Sequence, residues 1–216
     1  MLPRLRTALL AAFGLALALP GCHHAPPPPP PTPVEQHAGL TLRALDIDSG
    51  VVANYSGFSA GPGLIVTARH GLAKRMPIAA VLADGRQAAL GHPVAEDAAA
   101  DLIVLSAGDD LPVEPLPLAP EPVPAGEWVR VVTQRGIARA AVRGATVTPN
   151  PADSRLVIDA PGLKAGAAGS AVVDDAGRVV AVVVGSADDH PSQALAVPAA
   201  RVAALVERAR AAKTRR

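Results

Sequence analysis

The chain has 216 residues, a length that fits one domain or two small halves packed as one unit. Twenty Lys and Arg stand against 19 Asp and Glu, and a net charge of +1 gives no electrostatic reason to expect a nucleic-acid partner. Half the residues are apolar, which supplies a core and excludes a globally disordered chain. The single cysteine excludes an intramolecular disulfide framework and any multi-cysteine metal site. Aromatics make up only 2%, so the core must be built from Ala, Val and Leu around Tyr55, Phe58 and Trp128.

The chain opens with Arg4 and Arg6, then an uncharged apolar run from Thr7 to Leu19. A basic start, a short apolar stretch and small residues after it read as an export signal rather than a fold element. The run closes Leu19-Pro20-Gly21-Cys22, which resembles the lipobox of bacterial lipoproteins. That resemblance implies a signal peptide over residues 1–21, acylation of Cys22 and a membrane contact through the lipid. His23 follows in place of an aspartate, which implies outer-membrane sorting and a periplasmic location. Residues 22–38 then form a Pro-rich tether. Pro26 to Pro31 and Pro33 are expected as extended polyproline II, a semi-rigid stalk of roughly 25 Å over eight residues. His23 and His24 lack a third ligand for a metal. No cofactor motif is found.

From residue 39 onward, short β-rich runs alternate with turn signals. The first set covers 40–47, 51–58, 64–67, 78–82, 88–94 and 102–106, with turns at Gly61-Pro62-Gly63 and Asp84-Gly85. Residues 113–126 carry too many prolines for a central strand and read as an ordered connector. The second set covers 128–133, 138–147, 155–159, 171–173, 178–184 and 194–197. His92 and His190, each beside a proline, are expected in exposed loops. Pro198 opens an amphipathic helix with Val202, Leu205, Val206 and Ala209 at helical spacing, ending in a solvated basic run from Lys213 to Arg216. The expected architecture is all-β: two packed antiparallel, six-stranded-type barrels over 39–112 and 127–198, with a C-terminal α-helix over 199–216.

Three patterns carry chemistry, and they fall in one order. Ser56-Gly57-Phe58 leads to Leu64-Ile65-Val66-Thr67-Ala68-Arg69-His70. Asp97 and Asp101 precede the apolar run Leu102-Ile103-Val104-Leu105. Gly166-Ala167-Ala168-Gly169-Ser170-Ala171 runs into Asp174-Asp175-Ala176-Gly177. Together they resemble the trypsin-like serine proteases, most closely the bacterial Deg/HtrA type, over roughly residues 40–206. The resemblance implies the trypsin-like fold, His70 as general base and Asp101 as the carboxylate that orients it, with Asp97 a turn residue. It also implies an oxyanion hole from the amides of Gly166 and Ala168. Because the chain ends soon after its closing helix, the PDZ modules of many such relatives, and their peptide-regulated cage, are not expected.

The nucleophile departs from the family pattern. The family's Gly-x-Ser segment, counted from Gly166, puts the serine at position 168, where this chain has Ala168. Counting back from the hairpin glycine gives the same position, since Gly177 stands nine residues after Ala168. A methyl group cannot attack a carbonyl, and losing the serine of such a triad costs roughly 10⁶-fold in kcat. The leading expectation is therefore a tethered, proteolytically inactive homologue that binds a peptide or an envelope protein in its cleft. The alternatives are an active endopeptidase using Ser170 with His70 and Asp101, or an envelope spacer protein. Residues 161–166 and 185–188 are expected to wall the specificity pocket, with no acidic residue at its floor.

Overall fold

The structure is a computed structural model, which describes residues 30–108, 111–146, 153–187 and 190–215. The expected signal segment 1–21, Cys22, His23, His24, Pro26 to Pro29, Val147, Asp188 and Arg216 lie outside the described residues.

Twelve strands form two closed antiparallel barrels of six. The first contains β1 (Leu40–Asp46), β2 (Val52–Gly61), β3 (Leu64–Ala68), β4 (Arg75–Val81), β5 (Gln87–Asp97) and β6 (Leu102–Ala107), joined in the order β1-β2-β3-β6-β5-β4. The second contains β7 (Trp128–Thr133), β8 (Gly136–Ala145), β9 (Leu156–Asp159), β10 (Ala171–Val173), β11 (Val179–Ala187) and β12 (His190–Pro198), in the order β10-β11-β12-β9-β8-β7. Two helices flank them, α1 (Pro33–Ala38) and α2 (Ala199–Thr214).

Strand periodicity explains the unbroken apolar runs. Successive side chains point to opposite faces. Along β3, Ile65 enters the interior of the first barrel, while Leu64 and Val66 join a cluster shared with the second. Along β6, Ile103 and Leu105 go inward, and Leu102 and Val104 join the shared cluster. β10 repeats this, with Val172 inside the second barrel and Ala171 and Val173 at the seam. Strands wet on neither face must be apolar at every position. Phe58 sits at the centre of the seam, fully buried.

The connector behaves as an ordered strap. The Leu116 amide donates to the Ser59 carbonyl of the first barrel, and the Ala119 amide donates to Val179 of the second. α2 ties the two units from outside. Val202, Leu205, Val206 and Ala209 pack into the seam, while Lys213 Nζ donates to the Pro62 carbonyl. The basic end is therefore anchored at Lys213 rather than simply solvated.

Two further expectations change. His92 and His190 are exposed, yet they lie in β5 and β12 rather than in loops. The register of β5 against β6 shifts on both sides of Pro93, so the missing N–H falls at an irregularity. Pro33 belongs to α1, not to a polyproline stretch. The Thr32 hydroxyl accepts from the Glu35 amide, the Glu35 carboxylate accepts from the Thr32 amide, and proline at the first helical position needs no donor.

Glu35 also explains why so short a helix holds its place. Its carboxylate accepts from Arg130 Nη2 at 2.6 Å, with the two side chains 1% and 2% exposed. The same Nη2 donates to the Asp174 carbonyl at 2.8 Å. A buried ion pair adds little net stability, but removing one partner strands the other charge at a cost of about 3–5 kcal/mol. Glu35→Ala should therefore lower the urea midpoint sharply. Glu35→Ala combined with Arg130→Met should recover most of that loss in the same measurement.

Candidate active site

The end of β3 carries the first element. Thr67 Oγ1 donates to the Ser56 carbonyl at 2.7 Å, fixing the last turn of the β2–β3 hairpin before the chain enters a 3-10 turn at His70–Leu72. Gly71 follows because a Cβ there would stand 2.7 Å from the Tyr55 ring. The His70 ring is thereby held at the barrel rim, half its side chain exposed.

Asp101 grips His70 twice. Its Oδ2 lies 2.6 Å from His70 Nδ1, and its Oδ1 accepts from the His70 amide at 2.8 Å. With Nδ1 against a carboxylate, Nε2 is the ring nitrogen left without a protein partner. Asp101 adopts the left-handed conformation, φ +58°, held by its amide on Ala98 O and its carbonyl under the Arg69 amide. Asp97 faces away. Its carboxylate takes a two-pronged bond from Arg201 Nε and Nη2 at 2.8 and 2.9 Å, and it caps the Ala100 amide. Arg155 Nη2 donates to the Ala99 carbonyl at 2.7 Å. The turn that presents Asp101 is thus pinned from the second barrel and from α2.

The second barrel supplies the Gly166–Ser170 turn. Gly169, φ +90°, lies so close to β3 that a Cβ would clash with Ser56 O, Thr67 Oγ1 and the Ala68 amide. Only glycine fits there. That docking sets Ala168, half-buried, beside the end of the strand that delivers His70. Ser56 Oγ donates to the Gly166 carbonyl at 2.8 Å and accepts from the Gln134 amide, so the turn is fixed from the first barrel. Among the described residues, the Gly166 and Ala168 amides donate to no protein acceptor. Ser170 Oγ is sealed from solvent without a hydrogen-bond partner, so it is not bonded to the His70 ring.

Two hollows meet at this turn. One, about 320 Å³, is walled by Ala160, Leu163, Val183 and Ala194, with Gln193 its only polar side chain besides Lys164 and Ser186. Residues 163–166, 185 and 186 line it as the sequence suggests, whereas Ala160, Val183 and the β12 residues come only with barrel closure. The other, about 230 Å³, lies towards the first barrel and is lined by Ser56, Gln134, Arg135 and Lys164 among others.

Sequence reading brings together His70, Asp101 and the 166–170 turn, and it passes over Ser56 Oγ, Arg155, Arg201 and the Glu35–Arg130 pair. A readable signal existed for two of these. Arg130 interrupts the buried run Val129 to Val132, and Thr32-x-x-Glu35 is a capping pattern. Ser56, Arg155 and Arg201 had none, since their partners lie far along the chain.

An imidazole clamped by a carboxylate at the seam of two six-stranded barrels, facing a glycine turn with two free amides, defines the chymotrypsin-type frame. The trypsin-like peptidase domain family matches residues 49–182, and the chain belongs to that family. Among curated proteins none matches it. Solved structures do. The Rv3671c protease of M. tuberculosis in its active form is 22% identical, TM-score 0.70, with 93% of this chain and 94% of that one covered. A serine endoprotease from Yersinia pestis is 18% identical, TM-score 0.66, covering 82% and 64%. The HtrA-type protease AlgW with a tripeptide is 20% identical, TM-score 0.67, covering 81% and 60%. At these identities the likeness is one of fold.

The Arg201 guanidinium holds the Asp97 carboxyl below the usual carboxylate range, against the opposing effect of burial. A carboxyl lowered in the folded state stabilises above its unfolded value near ~4 and loses that contribution as pH falls through the folded value. The wild-type urea midpoint should therefore fall between about pH 4 and pH 2. Arg201→Met should be less stable at pH 7, with a flatter acid limb that converges on the wild type near pH 2.

Proposed function

We propose that this trypsin-fold protein is proteolytically inactive and works by binding a peptide, or an envelope protein through a peptide segment, in the cleft between its barrels. The observation that carries the reading is the methyl group of Ala168, next to the glycine that docks on the His70 strand. In this reading His70 is the base position, Asp101 its orienter, Ala168 the vacant nucleophile position, and the Gly166 and Ala168 amides the oxyanion donors. The burial of Ser170 Oγ counts against its serving as a substitute nucleophile, because attack needs a hydroxyl within hydrogen-bond reach of the base. The retained His70–Asp101 pair and free amides support a cleft that still receives a peptide.

A serine-reactive phosphonate probe tests this directly. Unaltered protein should not label, and Ala168→Ser should label at the new hydroxyl. Labelling of the unaltered chain that disappears in Ser170→Ala would replace this reading with an active peptidase.

We also propose that the protein is exported and held at the bacterial envelope, at the outer membrane facing the periplasm, through an acylated Cys22. In this reading the lipid on Cys22 makes the attachment. Metabolic labelling with an azido fatty acid should tag the protein and fail with Cys22→Ala. Equal labelling of both would refute the anchor.

A further inference from the structure

Arginines in this fold are mostly matched to acids. Arg69, Arg75, Arg86, Arg143, Arg178 and Arg201 each lie within 3.3 Å of a carboxylate. The two cations at the Gly166 turn are different. Arg135, from the β7–β8 hairpin, and Lys164, from the loop before the turn, both line the 230 Å³ hollow. Neither has an acidic partner among the described residues, and no Asp or Glu lines this hollow or its 320 Å³ neighbour. The free Gly166 and Ala168 amides stand on the same turn, and Asp101 holds the His70 ring through Nδ1. The polar groups gathered here without a protein partner include these two cations and the two amide donors, beside the neutral side chains of Gln134, Ser186 and Gln193. The chain as a whole is nearly neutral, so this is a local arrangement.

The neighbouring hollow is walled mainly by small apolar side chains, with Lys164, Ser186 and Gln193 its polar ones, and residues 164–167 line both. An anion held at the turn and an apolar side chain held in the 320 Å³ hollow must therefore come from adjacent atoms of one ligand residue. An internal peptide residue with an apolar side chain continues as a neutral amide. An aspartate or glutamate places its charge on the side chain itself. Only the last residue of a peptide carries an apolar side chain and a carboxylate on the same Cα. We infer that the cleft recognises a free peptide C-terminus. The final apolar side chain fills the hollow of Ala160, Leu163, Val183 and Ala194. The terminal carboxylate accepts from the Gly166 and Ala168 amides and lies in the field of Lys164 and Arg135. With a methyl at position 168, no hydroxyl stands between the carboxylate and His70 Nε2, and no bond is made or broken.

This inference names the ligand class of the binding function proposed above and rests on it. Its test uses the exported-form chain and dye-labelled hexapeptides ending in alanine, valine or leucine, each as free acid and as C-terminal amide, with binding read by fluorescence anisotropy. The free acids should bind at least about tenfold more tightly than the amides, as loss of a charge-assisted hydrogen-bond set requires. That preference should shrink between 50 and 500 mM salt. Arg135→Gln combined with Lys164→Gln should reduce acid binding towards the amide level while leaving the melting temperature within a few degrees. Equal binding of acid and amide would overturn the C-terminal inference and leave the peptide-binding function standing. An acid preference that survives the double substitution unchanged would overturn the role of the two cations. Binding of neither form would overturn the inference together with the binding function.

Discussion

The close approach of Gly169 to the end of β3 is the constraint on which this protein depends. A backbone with no side chain, in a conformation only glycine tolerates, lies against Ser56, Thr67 and Ala68 of the other barrel. That contact, with the Ser56 hydroxyl on the Gly166 carbonyl beside it, joins the two halves of the site. On one side are the strand that delivers His70 and the turn that delivers Asp101; on the other is the glycine turn with its free amides. The apolar seam beneath, from Phe58 and Val66 to Ala171 and Val182, keeps the barrels in the one relative position where the contact is possible. The residue beside this contact is Ala168, so a frame of peptidase geometry surrounds a methyl group.

The polar supports of the site come from distant parts of the chain. Ser56 holds the Gly166 carbonyl, 110 residues away. Arg155 and Arg201 hold the turn that presents Asp101, from the residue before β9 and from α2 respectively. Such pins order the site at a cost in conformational freedom that pairing alone does not offset at the surface. Arg155 and Arg201 each face a carbonyl or an acid, whereas Arg135 and Lys164 at the cleft have no acidic partner among the described residues.

Much of the architecture was legible because the signals are local. Strand positions followed from β-rich runs and turn residues, and the seam strands stood out as apolar on both faces. The order His70, Asp101, Gly166-Ala167-Ala168-Gly169 carried the family. The misreadings share one cause. The prolines beside His92 and His190 were read as marking loops, and Pro33 as an extended residue. β5 instead shifts register at Pro93, and α1 accepts proline as its first residue because a capping box satisfies the donors around it. Local propensity sets an expectation, and the hydrogen bonds available from neighbours decide whether it holds.

By itself, the sequence determined the number and order of the strands, the glycines at the tight turns and the absence of a hydroxyl at position 168, because each is a property of one residue or a short run. Tertiary structure alone decided that Asp97 is held by Arg201, that Ser170 is sealed in the interior, and that Glu35 belongs to the second barrel through Arg130. It also decided that Arg135 and Lys164 share one hollow. Those outcomes depend on how two barrels close and dock, and no stretch of chain encodes the distance between residues that meet only when both have folded.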